Sequence, residues 1–183
     1  MHGDPIGYFL TWVTYGTWLP GDARGWVEYR RGWQLPNPIR EREAAARMTE
    51  DACTLTHEQR QAVEAQIAET CAHRGWTLHV VNCRSNHIHV VVTADVANPK
   101  KIRIDLKAWA TRALKRKFDS SRENWWAERG SIRYLNNEDE LEAAIIYVRD
   151  GQDRHQLDAS LRKDTNPKRQ RGTLRSEARP KRR

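Results

Sequence analysis

The stretch that most constrains this chain is Asn82-Cys83-Arg84-Ser85-Asn86-His87-Ile88-His89-Val90-Val91-Val92. Its β-branched residues favour an extended strand. Side chains alternate along a strand, so His87 and His89 share one face while Ile88, Val90 and Val92 share the other. One face is therefore suited to a core, and the other carries two imidazoles close enough to hold one divalent ion. His-x-His is a short pattern, and a half-buried strand with two solvated histidines satisfies it equally well. The surroundings of the strand decide between the two readings.

The chain in order predicts seven elements. Tyr8 to Tyr15 is dense in aromatic and β-branched residues and reads as a first strand. Residues 16–56 show no sustained period and carry Trp18, Trp26, Tyr29 and Trp33 among Arg24, Arg30 and Arg31. Rings interleaved with arginines suit stacking on unpaired bases beside phosphates, and they equally suit anchoring a long loop. Thr56 and Gln59 form a capping-box pattern, and Val63, Ile67 and Cys71 give the helix behind them one apolar stripe that ends near Gly75. Trp76 to Cys83 is a second strand, joined to the His-Ile-His strand by a tight turn, so the two are antiparallel neighbours. Asn98-Pro99 opens another helix with Ile102, Leu106, Trp109, Ala113 and Leu114 on its apolar face. Gly130 to Leu135 reads as a short strand. Asn137 caps a final helix with an acidic first turn and a stripe of Leu141, Ala144, Ile145 and Val148. The order β-α-β-β-α-β predicts an α+β fold, a ferredoxin-like antiparallel sheet, with the last helix added.

Charge sharpens the functional reading. The 183 residues hold 32 Lys and Arg against 24 Asp and Glu. From Arg154 onward there are eleven basic and three acidic residues, so residues 1–153 are neutral overall. Within that neutral body one helix gathers Lys100, Lys101, Arg103, Lys107, Arg112, Lys115, Arg116 and Lys117 against Asp105 alone. Positive charge concentrated in one helix and one tail is the distribution of a nucleic-acid binder, and these eight side chains are the candidate DNA contacts. The domain is expected over residues 5–153, with the basic tail 154–183 disordered. Three scattered cysteines, no leader segment and no membrane-length apolar run predict a soluble cytoplasmic protein with no membrane partner.

Tyr147 stands about 60° from Ala144 around the last helix, at the margin of its apolar stripe. There it can bury a ring edge and project its hydroxyl toward the sheet. A tyrosine hydroxyl is a competent covalent nucleophile, and a metal can stabilise charge developing on a phosphodiester.

Ser85-Asn86-His87-Ile88-His89-Val90-Val91-Val92, with Tyr147 in Ala144-Ile145-Ile146-Tyr147-Val148, resembles the His-hydrophobic-His motif and nucleophile of the single-tyrosine IS200-like transposases. The likeness runs from about Tyr8 to Gln152, and the strand Gly130 to Leu135 is similar to the REP-associated branch. It implies a nucleoid-associated enzyme that nicks and rejoins single-stranded or hairpin DNA through a 5′-phosphotyrosine. Mg²⁺ or Mn²⁺ would be held by His87 and His89. Relatives include dimers and monomers, so a homodimer is open. The family's third ligand often lies four residues after the tyrosine, where this chain has Gly151. Gln152 is the preferred replacement, swung inward if Gly151 ends the helix, and Asp150 is the alternative. The same departure supports a second reading, a domesticated relative that binds hairpin DNA or RNA without cutting.

Overall fold

The computed structural model describes residues 4–95 and 97–151. The first of the chain's two units ends at Arg149 and holds every strand among the described residues. Strands β1 (Gly7–Val13), β4 (Thr77–Cys83), β5 (His87–Thr93) and β6 (Ser131–Leu135) form one antiparallel sheet in the order β4-β5-β1-β6. This is the ferredoxin-like arrangement, with helices α2 (His57–Arg74) and α3 (Pro99–Lys117) as crossovers. Helix α4 (Glu138–Ile146) follows β6 as the added element.

Pairing of β1 with β5 sets Thr11 opposite His89, Trp12 opposite Ile88 and Val13 opposite His87. Tyr8, Leu10, Trp12, Ile88, Val90 and Val92 consequently lie on one face, where they bury against Val63, Ile67, Ile102, Leu106 and Leu114 of α2 and α3. On the other face Val91 and Leu135 pack with Leu141, Ala144 and Val148. The sheet is thus covered by two helices on one side and by α4 on the other.

Local signals account for the helix ends. Thr56 and Gln59 make the reciprocal capping box, and α2 stops at Gly75, whose φ of 69° suits a residue without Cβ. Asn98 and Asn137 cap α3 and α4 through their side chains. One assignment on α3 is corrected: Trp109 is 37% exposed and Ala110 takes the buried position beside Leu106. Arg112 stacks over the Trp109 ring, 4.5 Å from its centroid, which covers an indole the core has no room for.

The segment read as aperiodic contains a small hairpin, β2 (Trp26–Glu28) with β3 (Gly32–Gln34), and helix α1 (Pro38–Ala46). Helix α1 buries no residue, so it carries no apolar stripe to betray it. Gly21 lets it dock closely: a Cβ there would meet the Asn37 carbonyl oxygen at 2.3 Å and the Glu41 nitrogen at 2.5 Å. The three cysteines are buried and free. No described helix is long and apolar enough to cross a membrane.

Ile88 is fully buried between sheet and helices. Ile88→Ala is expected to cost about 2–5 kcal/mol of unfolding free energy, read from the urea midpoint.

Candidate active site

The histidines sit where the register demands, on the α4 side of the sheet. Their rings lie 4.9 Å apart at an interplanar angle of 78°. His87 Nδ1 is 2.7 Å from Asn86 Oδ1, an oxygen that only accepts, so Nδ1 donates that bond. His89 Nδ1 is 2.8 Å from Thr11 Oγ1, directly across the strand pair. Holding one ring nitrogen with an oxygen partner is how proteins orient histidines that ligate a metal through the other. Burial, with the neighbouring His87 and Arg84, pushes the His89 pKa down to about 4. The ring is therefore neutral at pH 7, the form a metal requires.

Tyr147 reaches this face from above. It closes α4 and begins a π-helical turn, Tyr147–Gly151. Its ring meets His89 edge-on with centroids 6.0 Å apart, and it meets Phe9 at the same distance. Phe9 in turn lies 5.4 Å from His89, so three rings form one cluster. Carbonyls in the last turn of a helix lack intrahelical partners. Asn82, paired across from His89 in β4, donates from Nδ2 to the Val148 carbonyl at 3.1 Å. That bond ties the tyrosine's turn to the histidine strand.

A cleft of about 380 Å³ opens between sheet and helix, lined by Phe9, Thr11, His89, Arg133, Ala143, Ala144 and Tyr147. Tyr147 is 40% exposed whereas His89 is 8% exposed, so the nucleophile candidate stands at the mouth and the imidazole at the floor. Among the described residues, no three His, Cys, Asp or Glu side chains cluster as a metal site. The histidines offer two donors, fewer than a complete set. With Nδ1 engaged on each ring and the His89 ring neutral, the pair fits a divalent ion whose remaining positions would go to oxygen donors. Asp150 is exposed and opens the chain's second unit, and Gln152 lies outside the described residues.

The eight basic residues of α3 are not brought to the cleft, because α3 covers the opposite face of the sheet. Three of them hold the following loop: Arg103 donates to the Gly130 carbonyl, Lys107 to those of Ala127 (2.6 Å) and Glu128 (3.1 Å), and Lys115 pairs with Glu123 at 2.6 Å. Burial brings the Lys107 pKa down to about 8. Lys100, Lys101, Arg112, Arg116 and Lys117 remain exposed. Sequence reasoning passed over Thr11, Asn82 and Arg133, which all share the histidine face. Strand alternation with the ferredoxin-like order could have found Thr11 and Arg133.

The fold and its site define a sheet-based protein with two same-face histidines under a helix-borne tyrosine. Residues 47–148 match the model of the IS200-like transposases, more than half of the chain, and the chain belongs to that family. Among solved structures, it is similar to a REP-associated tyrosine transposase bound to a REP hairpin. That likeness has a TM-score of 0.52 and 13% identity, over 85% of this chain and 71% of that one. A candidate transposase from Deinococcus radiodurans aligns with a TM-score of 0.45 and 12% identity, over 77% of this chain and 87% of the other. No curated protein matches the chain.

The depressed His89 pKa has a stability consequence for the chelator-treated protein. As pH falls from 6.5 to 4, the unfolded chain binds a proton that the folded chain refuses, so stability drops by about 3 kcal/mol across that window. Urea titrations at the two ends should show this loss in the wild type and a correspondingly smaller one in His89→Asn. Equal losses would contradict the burial-driven shift.

Proposed function

We propose that the protein nicks and rejoins single-stranded DNA at hairpin structures, with Tyr147 as nucleophile and His87 and His89 as metal ligands. The observation that carries this reading is the meeting of Tyr147 with His89 over one cleft, at 6.0 Å between ring centroids. Membership of a transposase family and likeness to a fold solved on a REP hairpin support it.

In the proposed step the Tyr147 oxygen attacks the phosphorus and the bond to the 3′ oxygen breaks. The strand is left as a 5′-phosphotyrosine with a free 3′-hydroxyl, and the phenolic proton ends on that hydroxyl. Rejoining is the reverse attack, so the bond energy is retained and no external energy source is needed. Mg²⁺ or Mn²⁺ on His87 and His89 would polarise the phosphate and stabilise its developing charge. Thr11 and Asn86 hold the two imidazoles in orientation. Arg133, exposed on the cleft wall, would contact the phosphate that enters. Gln152 is proposed as the third ligand, with Asp150 the alternative. The exposed Lys100, Lys101, Arg112, Arg116 and Lys117 would steer flanking DNA through a salt-dependent attraction, while Arg103, Lys107 and Lys115 act through the loop they hold.

Denaturing gels of a labelled hairpin oligonucleotide with Mn²⁺ test the reading. The wild type should release a nicked strand, and Tyr147→Phe should release none. Asn82→Ala should lower the nicking rate about tenfold or more with little change in hairpin affinity, because it frees the turn carrying the nucleophile. Gln152→Ala should raise the Mn²⁺ concentration needed, and Asp150→Ala should leave it unchanged. Tight hairpin binding with no nicking at any metal concentration would favour a binding protein that has lost catalysis.

A further inference from the structure

Phe9 stands where the parts of the site meet, although it carries no group that could ligate or react. It lies on β1, which is paired on both sides, with Val91 across from it in β5 and Arg133 in β6. Thr11, the partner of His89 Nδ1, follows two positions on along the same face. The Phe9 ring meets His89 at 5.4 Å between centroids and an interplanar angle of 33°. It meets Tyr147 at 6.0 Å and 69°.

The two ring contacts of Tyr147 differ in what they can fix. The tyrosine is 40% exposed and sits where α4 gives way to π winding. Among the described residues, no hydrogen bond holds its hydroxyl. Rotation about the Cα–Cβ bond would carry that hydroxyl away from the histidines unless ring packing opposes it. Edge-on contacts do oppose it, because the positive rim of one ring is drawn to the negative face of another in a restricted set of arrangements. His89 supplies one such contact, at 6.0 Å and 85°, but its imidazole is the proposed ligand, and ligation changes the charge on that ring. Phe9 supplies the other and takes no part in the chemistry. Its own place is set by a doubly paired strand and by packing against the cluster that includes Leu135, Leu141 and Ala144. An aliphatic side chain could fill this space, but it would offer Tyr147 no flat face.

We infer that Phe9 is a positioning residue for the nucleophile, holding the Tyr147 ring against His89 so that hydroxyl and metal ligand address one phosphate. The inference rests on the proposed nicking activity. It places the effect of Phe9 on the rate of attack and not on the affinity for DNA, since orientation of the reacting groups governs the former.

The test has two arms, both on the full chain. The first needs no nicking: in the metal-free protein, the NOE between Tyr147 and His89 ring protons reports their contact, with assignments from Tyr147→Phe and His89→Asn. Phe9→Leu should weaken this NOE to about half or less, and Phe9→Tyr should retain it. The second arm compares single-turnover nicking of a hairpin oligonucleotide with Mn²⁺ against metal-free binding of the same oligonucleotide by fluorescence anisotropy. Phe9→Leu should slow nicking about tenfold or more while affinity stays within about twofold. Phe9→Tyr should restore the rate, with Phe9→Tyr/Tyr147→Phe as the control for attack by the added hydroxyl. Urea unfolding verifies that each variant is folded. Phe9→Met, which fills the space without a flat face, carries the same expectation as Phe9→Leu. An unchanged NOE in Phe9→Leu and Phe9→Met would overturn the inference. So would a loss of affinity equal to the loss of rate, which would make Phe9 a DNA contact. If the wild type itself never nicks, the proposed activity fails, and the NOE still decides whether Phe9 sets the contact between Tyr147 and His89.

Discussion

The pairing of β1 with β5 is the interaction on which the rest depends. Its register places Trp12 against Ile88 and Thr11 against His89, so a single alignment serves both faces of the sheet. On one face it assembles the aromatic and aliphatic layer that α2 and α3 bury. On the other it brings Thr11 within 2.8 Å of His89 Nδ1 and leaves a cleft under α4. A slip of one residue would turn every side chain to the wrong face, exposing Ile88 and burying His87 and His89 among α2 and α3. Core and site therefore constrain one another, and the apolar alternation of the strand protects the geometry of its histidines.

The two faces also divide the charges. Helix α3 spends Arg103, Lys107 and Lys115 on loop carbonyls and a carboxylate, which fixes the chain between α3 and β6. That chain, through Ala127, Arg129 and Gly130, becomes one wall of a groove that shares Thr11 with the cleft. Near the histidines the positive groups are instead Arg133 and Arg84, the latter sensed by His89 as a charge disfavouring its protonation. Basic residues of α3 thus act in two ways: some as exposed charge, others as props for the surface facing the site.

What could be read from the residues alone follows from how local each signal is. Strand β5 announces itself because β-branched alternation is a property of the strand alone, and α2 because Thr56, Gln59 and Gly75 mark both its ends. The tyrosine's element was legible through the cap at Asn137 and the stripe from Leu141 to Val148. Helix α1 was not: it buries nothing, and its one clear signal, Asn37-Pro38, matches the Asn98-Pro99 that opens α3. Trp109 was placed in the core because period alone cannot show that Ala110 fits the space and an indole does not. The bonds from Thr11 to His89 and from Asn82 to the Val148 carbonyl span 78 and 66 residues, and no pattern within a window records them. Nor does the sequence period register the change from α to π winding at Tyr147, which alters the angle at which following residues project.

The central claim is that a strand-borne histidine pair and a helix-borne tyrosine act on one phosphate. Peptide mapping by mass spectrometry tests it most directly. The protein is incubated with Mn²⁺ and a hairpin oligonucleotide, digested with protease and nuclease, and searched for nucleotide-modified peptides. The account predicts a 5′-phosphonucleotide on Tyr147 that disappears in the double variant His87→Ala/His89→Ala. A modification on another tyrosine, or one on Tyr147 that survives loss of both histidines, would contradict it.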